Sequence, residues 1–206
     1  EDKSFLNRMG KDHPLVSVSR GSTNLVHRTH SLGIDNRKGT FLALDYLAHL
    51  GHERIACMNV SRYGDLWERV EAYRQFMRER FGGVPEECLQ PAENSYRGGY
   101  QAAQCLLSLP TPPTAIFALD DMMAIGALSA AADAGWAVPN DLSIVGFDDM
   151  EVSAVVRPAL TTVHQPTDEL GRKAVELLFT MIDGNKSADS PVRVLLEPTL
   201  IIRDSC

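Results

Sequence analysis

Apolar positions along the chain follow two alternating periods. Short runs rich in aliphatic and β-branched residues are separated by longer segments with three- and four-residue apolar spacing. The short runs are Leu15–Val18, Ser31–Ile34, Arg54–Val60, Ala115–Leu119, Leu142–Phe147, Leu160–Val163 and Val192–Leu196. Those starting at Arg54, Ala115 and Leu142 are mostly apolar without clean alternation, which predicts parallel strands covered on both faces. Helical faces are predicted by Ala43, Tyr46, Leu47 and Leu50, by Val70, Tyr73, Phe76 and Met77, and by Ala103, Leu106 and Leu107. The clearest stripe is Leu170, Ala174, Leu177, Leu178 and Met181. Gly51 and Gly82-Gly83 read as helix stops, and Gly98-Gly99 lies inside a helical stretch. Thr167 with Asp168 and Glu169 predicts the start of the last long helix, and Pro139-Asn140-Asp141 a turn.

Repeated strand–helix–strand units imply an α/β fold with doubly wound parallel sheets. Ligands in such sheets bind beyond the carboxyl ends of the strands. Acids stand there: Asp35 with Asn36, Asp120 with Asp121, and Asp148 with Asp149. Three chemistries fit them. Carboxylates hold a hard cation such as Mg²⁺ for phosphoryl transfer. They accept hydrogen bonds from the paired hydroxyls of a polyol. They also cap helices, which carries about half the weight at each site. The phosphoryl reading lacks a cradle, because no Gly-x-x-x-x-Gly-Lys-Ser/Thr or Gly-x-Gly-x-x-Gly run is present.

Arg69 sits just inside a helix start after the polar loop Ser61–Asp65. Its planar fork of five donors suits vicinal hydroxyls or a carboxylate. Arg74, Arg78 and Arg80 read as solvated. Trp67 offers a face for a sugar or purine, against ordinary core packing as the simpler role. There is no Gly-x-Ser-x-Gly elbow, and none of the six histidines stands at a metal or triad spacing. His52 reads as a turn residue.

Composition narrows the class. The 206 residues are 44% hydrophobic and 23% charged, the balance of a globular protein large enough to bury a core. The net charge of −7 makes the chain by itself a poor binder of DNA phosphates. Cys57, Cys88, Cys105 and Cys206 form no Cys-x-x-Cys pair, which suits a reducing cytoplasm. No run approaches the roughly 20 apolar residues that span a bilayer. The first residues carry no signal-peptide stretch.

Several segments together resemble one family. Asp35-Asn36, Gly39, Tyr46-Leu47 and Leu50-Gly51-His52-Glu53-Arg54-Ile55-Ala56 resemble the "D-N-x-x-G…H-L-x-x-L-G-H-x-R-I-A" signature of LacI/GalR-type bacterial transcription regulators. Tyr46 stands where that signature usually has histidine. Pro113 to Ala118 with Asp121 to Ala127 resembles "P-T-A-x-x-A-x-N-D-x-M-A-x-G-A". Val138 to Asp149 and Pro158 to Val163 resemble "V-P-x-D-L-S-x-V-G-F-D-D" and "P-x-L-T-T-V". Glu197-Pro198-Thr199-Leu200, Arg203 and Ser205 resemble the family's ending. The likeness runs from about Pro14 to the end.

The resemblance implies a two-lobed, periplasmic-binding-protein-like fold with an incomplete first lobe. Residues 1–35 and 166–193 would form that partial lobe, and 36–165 with 194–206 the second. Crossings would fall near Asp35, Gln165 and Val194. The DNA-binding helix-turn-helix domain is expected to be absent from this chain. The Leu170–Met181 face is expected to lack part of its packing surface.

By resemblance, the effector contacts are Arg69 as clamp, Asp148 as carboxylate acceptor, Asp120 in a place often held by Asn, and Gln165. Ser19, Asp35, Asp65 and Trp67 complete the set. Asp121 is expected to be a helix cap. Asp120 brings a charge where a neutral amide is usual, which favours a donor-rich ligand. Asn94 lies where purine-responsive members often carry a stacking aromatic, which disfavours a purine. The implied function is that of a non-enzymatic, cytoplasmic, homodimeric sensor of a small-molecule effector, a sugar by expectation. It would need no metal or cofactor and no membrane, and would reach operator DNA only through the missing N-terminal domain. The alternatives are a sugar-binding protein of a transport system and, third, a Mg²⁺-dependent phosphotransferase using Asp120, Asp121 and Asp148.

Overall fold

The computed structural model describes residues 13–18, 30–60, 64–183 and 193–206. Ser19 lies outside the described residues. In chain order the first elements are β1 (Val16–Val18), β2 (His30–Ile34), α1 (Asn36–His49), β3 (Ile55–Asn59) and α2 (Asp65–Phe81). A 3₁₀ turn (Glu86–Cys88) leads to β4 (Leu89–Pro91), α3 (Tyr96–Leu107), β5 (Ala115–Phe117) and α4 (Asp121–Asp133). Then come β6 (Ser143–Asp148), α5 (Glu151–Val155), β7 (Thr161–His164), α6 (Thr167–Ile182), β8 (Arg193–Leu196) and β9 (Thr199–Ile201).

The chain divides into two compact units, Glu1–Asp35 with Pro166–Glu197, and Asn36–Gln165 with Pro198–Cys206. The last crossing thus falls after Glu197 rather than near Val194. The reason is pairing: Arg193–Leu196 runs parallel to Ser31–Ile34, which keeps β8 in the first unit.

In the first unit, a parallel sheet of order β1-β2-β8 packs on α6. Leu32, Ile34, Leu170 and Leu196 form its small core, with Ala174 and Leu177 against it. The stripe read from the sequence therefore faces the sheet at its first turns. The strongly exposed apolar residues of α6 are Val175, Phe179 and Ile182, which lie off that stripe.

The second unit is a six-stranded sheet of order β4-β3-β5-β6-β7-β9, parallel except for β9, which runs antiparallel to β7. Ile55–Met58, Ala115–Phe117 and Ile144–Val145 are fully buried, as expected for strands covered on both faces. Helix α1 packs with α2 and α3 with α4. Gly82 ends α2 in the left-handed conformation that its φ of 80° requires, with its amide returning to Arg78 O.

Two polar ties fasten the amino-terminal edge of this sheet. His52 is more than a turn residue: its Nδ1 meets Thr114 Oγ1 and its Nε2 meets Ser143 Oγ, both at 2.9 Å. Burial lowers its pKa. Ser205, fully buried, donates to Ile144 O at 2.6 Å and accepts from Thr161 N at 2.8 Å. It closes the carboxyl terminus onto β6 and β7. Ser205→Ala leaves a buried amide and a buried carbonyl each one bond short. It is expected to cost about 1–3 kcal/mol, read from the urea midpoint of unfolding.

Candidate functional site

Helix α2 is the next helix after β3 in the chain, and Arg69 sits in its second turn. It is 3% exposed. Burying a guanidinium is costly unless its donors are met. Here they are largely met. Nε donates to Asn36 Oδ1 at 2.9 Å, and Nη1 donates to Leu119 O at 2.5 Å and to Asp148 Oδ1 at 3.1 Å. The guanidinium lies 3.6 Å over the Phe147 ring centroid. Asn36 is itself held by Glu68 Oε2, to which its Nδ2 donates at 3.0 Å. Asn36 and Glu68 thus fix the orientation of the fork. Nη2 donates to none of the described residues.

Asp148 closes β6 and is the acceptor of the group. Its Oδ1 accepts from Arg69 Nη1 and from Gln165 Nε2, which follows β7. Its side chain is 31% exposed, against 4% for Arg69. Burial raises its carboxyl to about 6, opposed by Arg69 and the Gln165 hydrogen bond and reinforced by Asp121 and Asp120. Asp148 therefore carries its charge at neutral pH and sits near the edge of losing it.

Asp120 follows β5 and caps α4, accepting from Met123 N at 2.7 Å. Burial raises its pKa, with Met123 N and Arg69 opposing. The capping role expected of Asp121 thus falls to Asp120. Asp121 is fully buried and points the other way, towards α5 and β7. It accepts from Met150 N, Ser153 Oγ and Thr162 Oγ1. With Asp121 spent on three donors and an oxygen of Asp120 spent on its cap, the acids do not converge as a divalent-cation site. Among the described residues, no group of three or more His, Cys, Asp or Glu is placed to hold a metal.

Arg69, Asp120, Asp148 and Gln165 are therefore gathered at the carboxyl ends of β3, β5, β6 and β7. The remaining expected residues stand further out. Asp65 is the first residue of α2 and stabilises the charge on Arg69 at one turn's distance. Trp67 is half-buried against the core, with the Arg74 guanidinium 5.2 Å over its ring. Arg74 is half-buried and paired with Glu71 rather than simply solvated. Asp35 belongs to the first unit, where its amide donates to Leu196 O at 2.9 Å. Sequence reasoning missed Asn36, Glu68 and Phe147 as the seat of Arg69. Asn36 and Phe147 were legible as motif residues, but only the fold reveals what they touch.

The chain matches the model of the periplasmic binding protein-like domain over residues 44–206. It is 38% identical over 199 residues to the HTH-type transcriptional regulator MalR of Clostridium butyricum, covering 93% of this chain and 57% of that protein. The chain thus spans little more than half the length of this curated relative. A regulatory protein of the LacI family from Chloroflexus aggregans has a similar structure, with a TM-score of 0.86 and 32% identity over 98% of this chain and 71% of that one. A LacI family transcriptional regulator from Enterococcus faecium, solved with bound ribose, gives a TM-score of 0.81 at 28% identity, covering 93% and 70%. Among the described residues, no helix is long and apolar enough to cross a membrane.

Proposed function

We propose that this chain, which belongs to the LacI family of regulators through its periplasmic-binding-protein-like domain, is the effector-sensing core of a transcription regulator and binds a sugar. The observation that carries this reading is the Arg69–Asp148 pair. A buried, rigidly seated guanidinium has an Nη2 engaged by no described residue, beside a carboxylate that is 31% exposed. A donor and an acceptor held side by side match the two faces of vicinal hydroxyls. The ribose-bound relative supports the same ligand class.

The proposed role is recognition without turnover, a reading supported by relatives that are named as regulators. Effector binding would shift the population between conformations of different effector affinity, and the same free energy would alter affinity for DNA in the complete protein. The charge of −7 suits a chain that leaves phosphate contacts to another domain. A homodimer would match the symmetry of paired operator half-sites. The named relatives are regulators, which favours this reading over a transport protein. The test is calorimetry of the full-length protein with ribose, other monosaccharides, disaccharides and purines. A sugar signal that is lost in Asp148→Ala supports the reading; binding of purines alone would refute it.

A pH dependence follows. Hydroxyl donors prefer ionised Asp148, whose carboxyl is raised to about 6. Sugar affinity is expected to be level above about pH 7 and to fall about tenfold at one unit below the midpoint, measured by calorimetry from pH 5 to 8. For stability the sign is opposite. The fold favours protonated Asp148, so this contribution is present below the unfolded value of about 4 and lost as pH rises through about 6.

A further inference from the structure

The Asp148–Asp149 turn is unusual for residues that carry side chains. Asp148 has φ 116° and Asp149 φ 55°, two consecutive non-glycine residues in the left-handed region. Such a turn persists only where its surroundings over-determine it. Two sets of contacts do so. On one side, Arg203 Nη2 donates to Asp149 Oδ1 at 2.6 Å, and His164 Nδ1 lies 2.9 Å from Asp149 Oδ2. On the other stands Asp121, whose Oδ2 accepts from Met150 N and Ser153 Oγ, both at 2.7 Å. Its Oδ1 accepts from Thr162 Oγ1, and the same hydroxyl oxygen accepts from Asp149 N at 3.4 Å. The sequence makes room for this carboxylate: a Cβ at Gly146 would lie 2.3 Å from Asp121 Oδ1.

We infer that Asp121 is a positioning residue for effector recognition. From the first turn of α4 it holds the Asp148–Asp149–Met150 backbone in the one conformation that aims the Asp148 carboxylate at Arg69 and Gln165. Asp121 engages both of its oxygens within the protein and acts through the turn. The inference rests on the sugar-binding reading for its function, and on the turn geometry alone for its structural half.

The experiment takes each half in turn. Asp121→Asn keeps the shape of the side chain but cannot accept both from Met150 N and from the two hydroxyls. A crystal structure of this variant without ligand is expected to show Asp148 out of the left-handed region and its contact with Arg69 broken. A turn that keeps its φ values and its 3.1 Å contact overturns the inference. In calorimetry with ribose, Asp121→Asn is expected to bind at least tenfold more weakly. Leu106→Ala, a core substitution in α3, serves as a destabilised control and should keep wild-type affinity. Equal weakening in both variants also overturns it. If wild type ignores ribose, the ligand-free structure alone decides the positioning, and the sugar reading is decided separately by the wider set of sugars. Should Asp121→Asn not fold, Thr162→Val removes the hydroxyl shared by Asp121 and Asp149 N. It is expected to loosen the turn and weaken ribose binding, and Thr162→Ser to restore both.

Discussion

Gly126→Ala is expected to destabilise the second unit by about 3 kcal/mol or more, and Gly99→Ala by a similar amount. The cause is backbone, not side chain. A Cβ at position 126 would lie 2.2 Å from Tyr96 O and 2.7 Å from Tyr100 N. One at position 99 would lie 2.2 Å from Met123 O and 2.5 Å from Met123 Cα. Helices α3 and α4 therefore touch main chain to main chain at both glycines, and no rotamer change relieves the overlap. The helices must separate, which opens the packing around Ala102, Ala103, Ala127 and Leu106, all nearly or fully buried. Against a total stability of about 5–15 kcal/mol, such a loss threatens folding at growth temperature. Gly171→Ala is the control, because nothing lies within 4 Å of its Cβ position in α6. It should be neutral or stabilising by about 0.5–1 kcal/mol, through helix propensity alone. Denaturant midpoints of the three variants check this. A Gly126→Ala protein as stable as Gly171→Ala would mean the two helices do not meet in this way.

Much of the frame was legible in the chain because buried parallel strands leave a strong apolar signature. Strands β3, β5 and β6 were visible as runs, and the rule that ligands sit beyond strand ends led to Asp120 and Asp148. Strands β4 and β9 were not visible. Each has three residues, β4 ends in Pro91, and both lie at sheet edges where the apolar signal is weakest. At the site, Arg69 could be singled out as a residue type after a polar loop. Its seat could not, because Asn36, Leu119 and the Phe147-Asp148 pair come from three distant segments. The exchange of roles between Asp120 and Asp121 has the same origin. Adjacent residues at a helix start point in different directions, and only the neighbouring strands decide which carboxylate meets the helix amides and which meets β7.

Arg69→Ala is expected to weaken sugar binding by about 100-fold or more, equivalent to about 3 kcal/mol. Part of the loss is the fork itself, whose Nη2 is the donor facing ligand in the proposed complex. Part is indirect, because Asn36 Oδ1, Leu119 O and Asp148 Oδ1 all lose a donor within a buried region. Arg69→Lys keeps the charge but not the planar spread that reaches three acceptors and stacks on Phe147, so it should recover little. Asp148 supplies an independent readout. Arg69 holds its carboxyl down against burial, so removing Arg69 should move it further above about 6. The pH at which residual sugar binding is half lost should then rise in Arg69→Ala, whereas a merely unfolded fraction would lower the binding stoichiometry at every pH alike. Calorimetric titrations from pH 5 to 8 separate the two. Wild-type affinity in Arg69→Ala, or an unmoved pH midpoint beside weakened binding, would show that the Arg69–Asp148 pair is a structural tie and that the effector is held elsewhere.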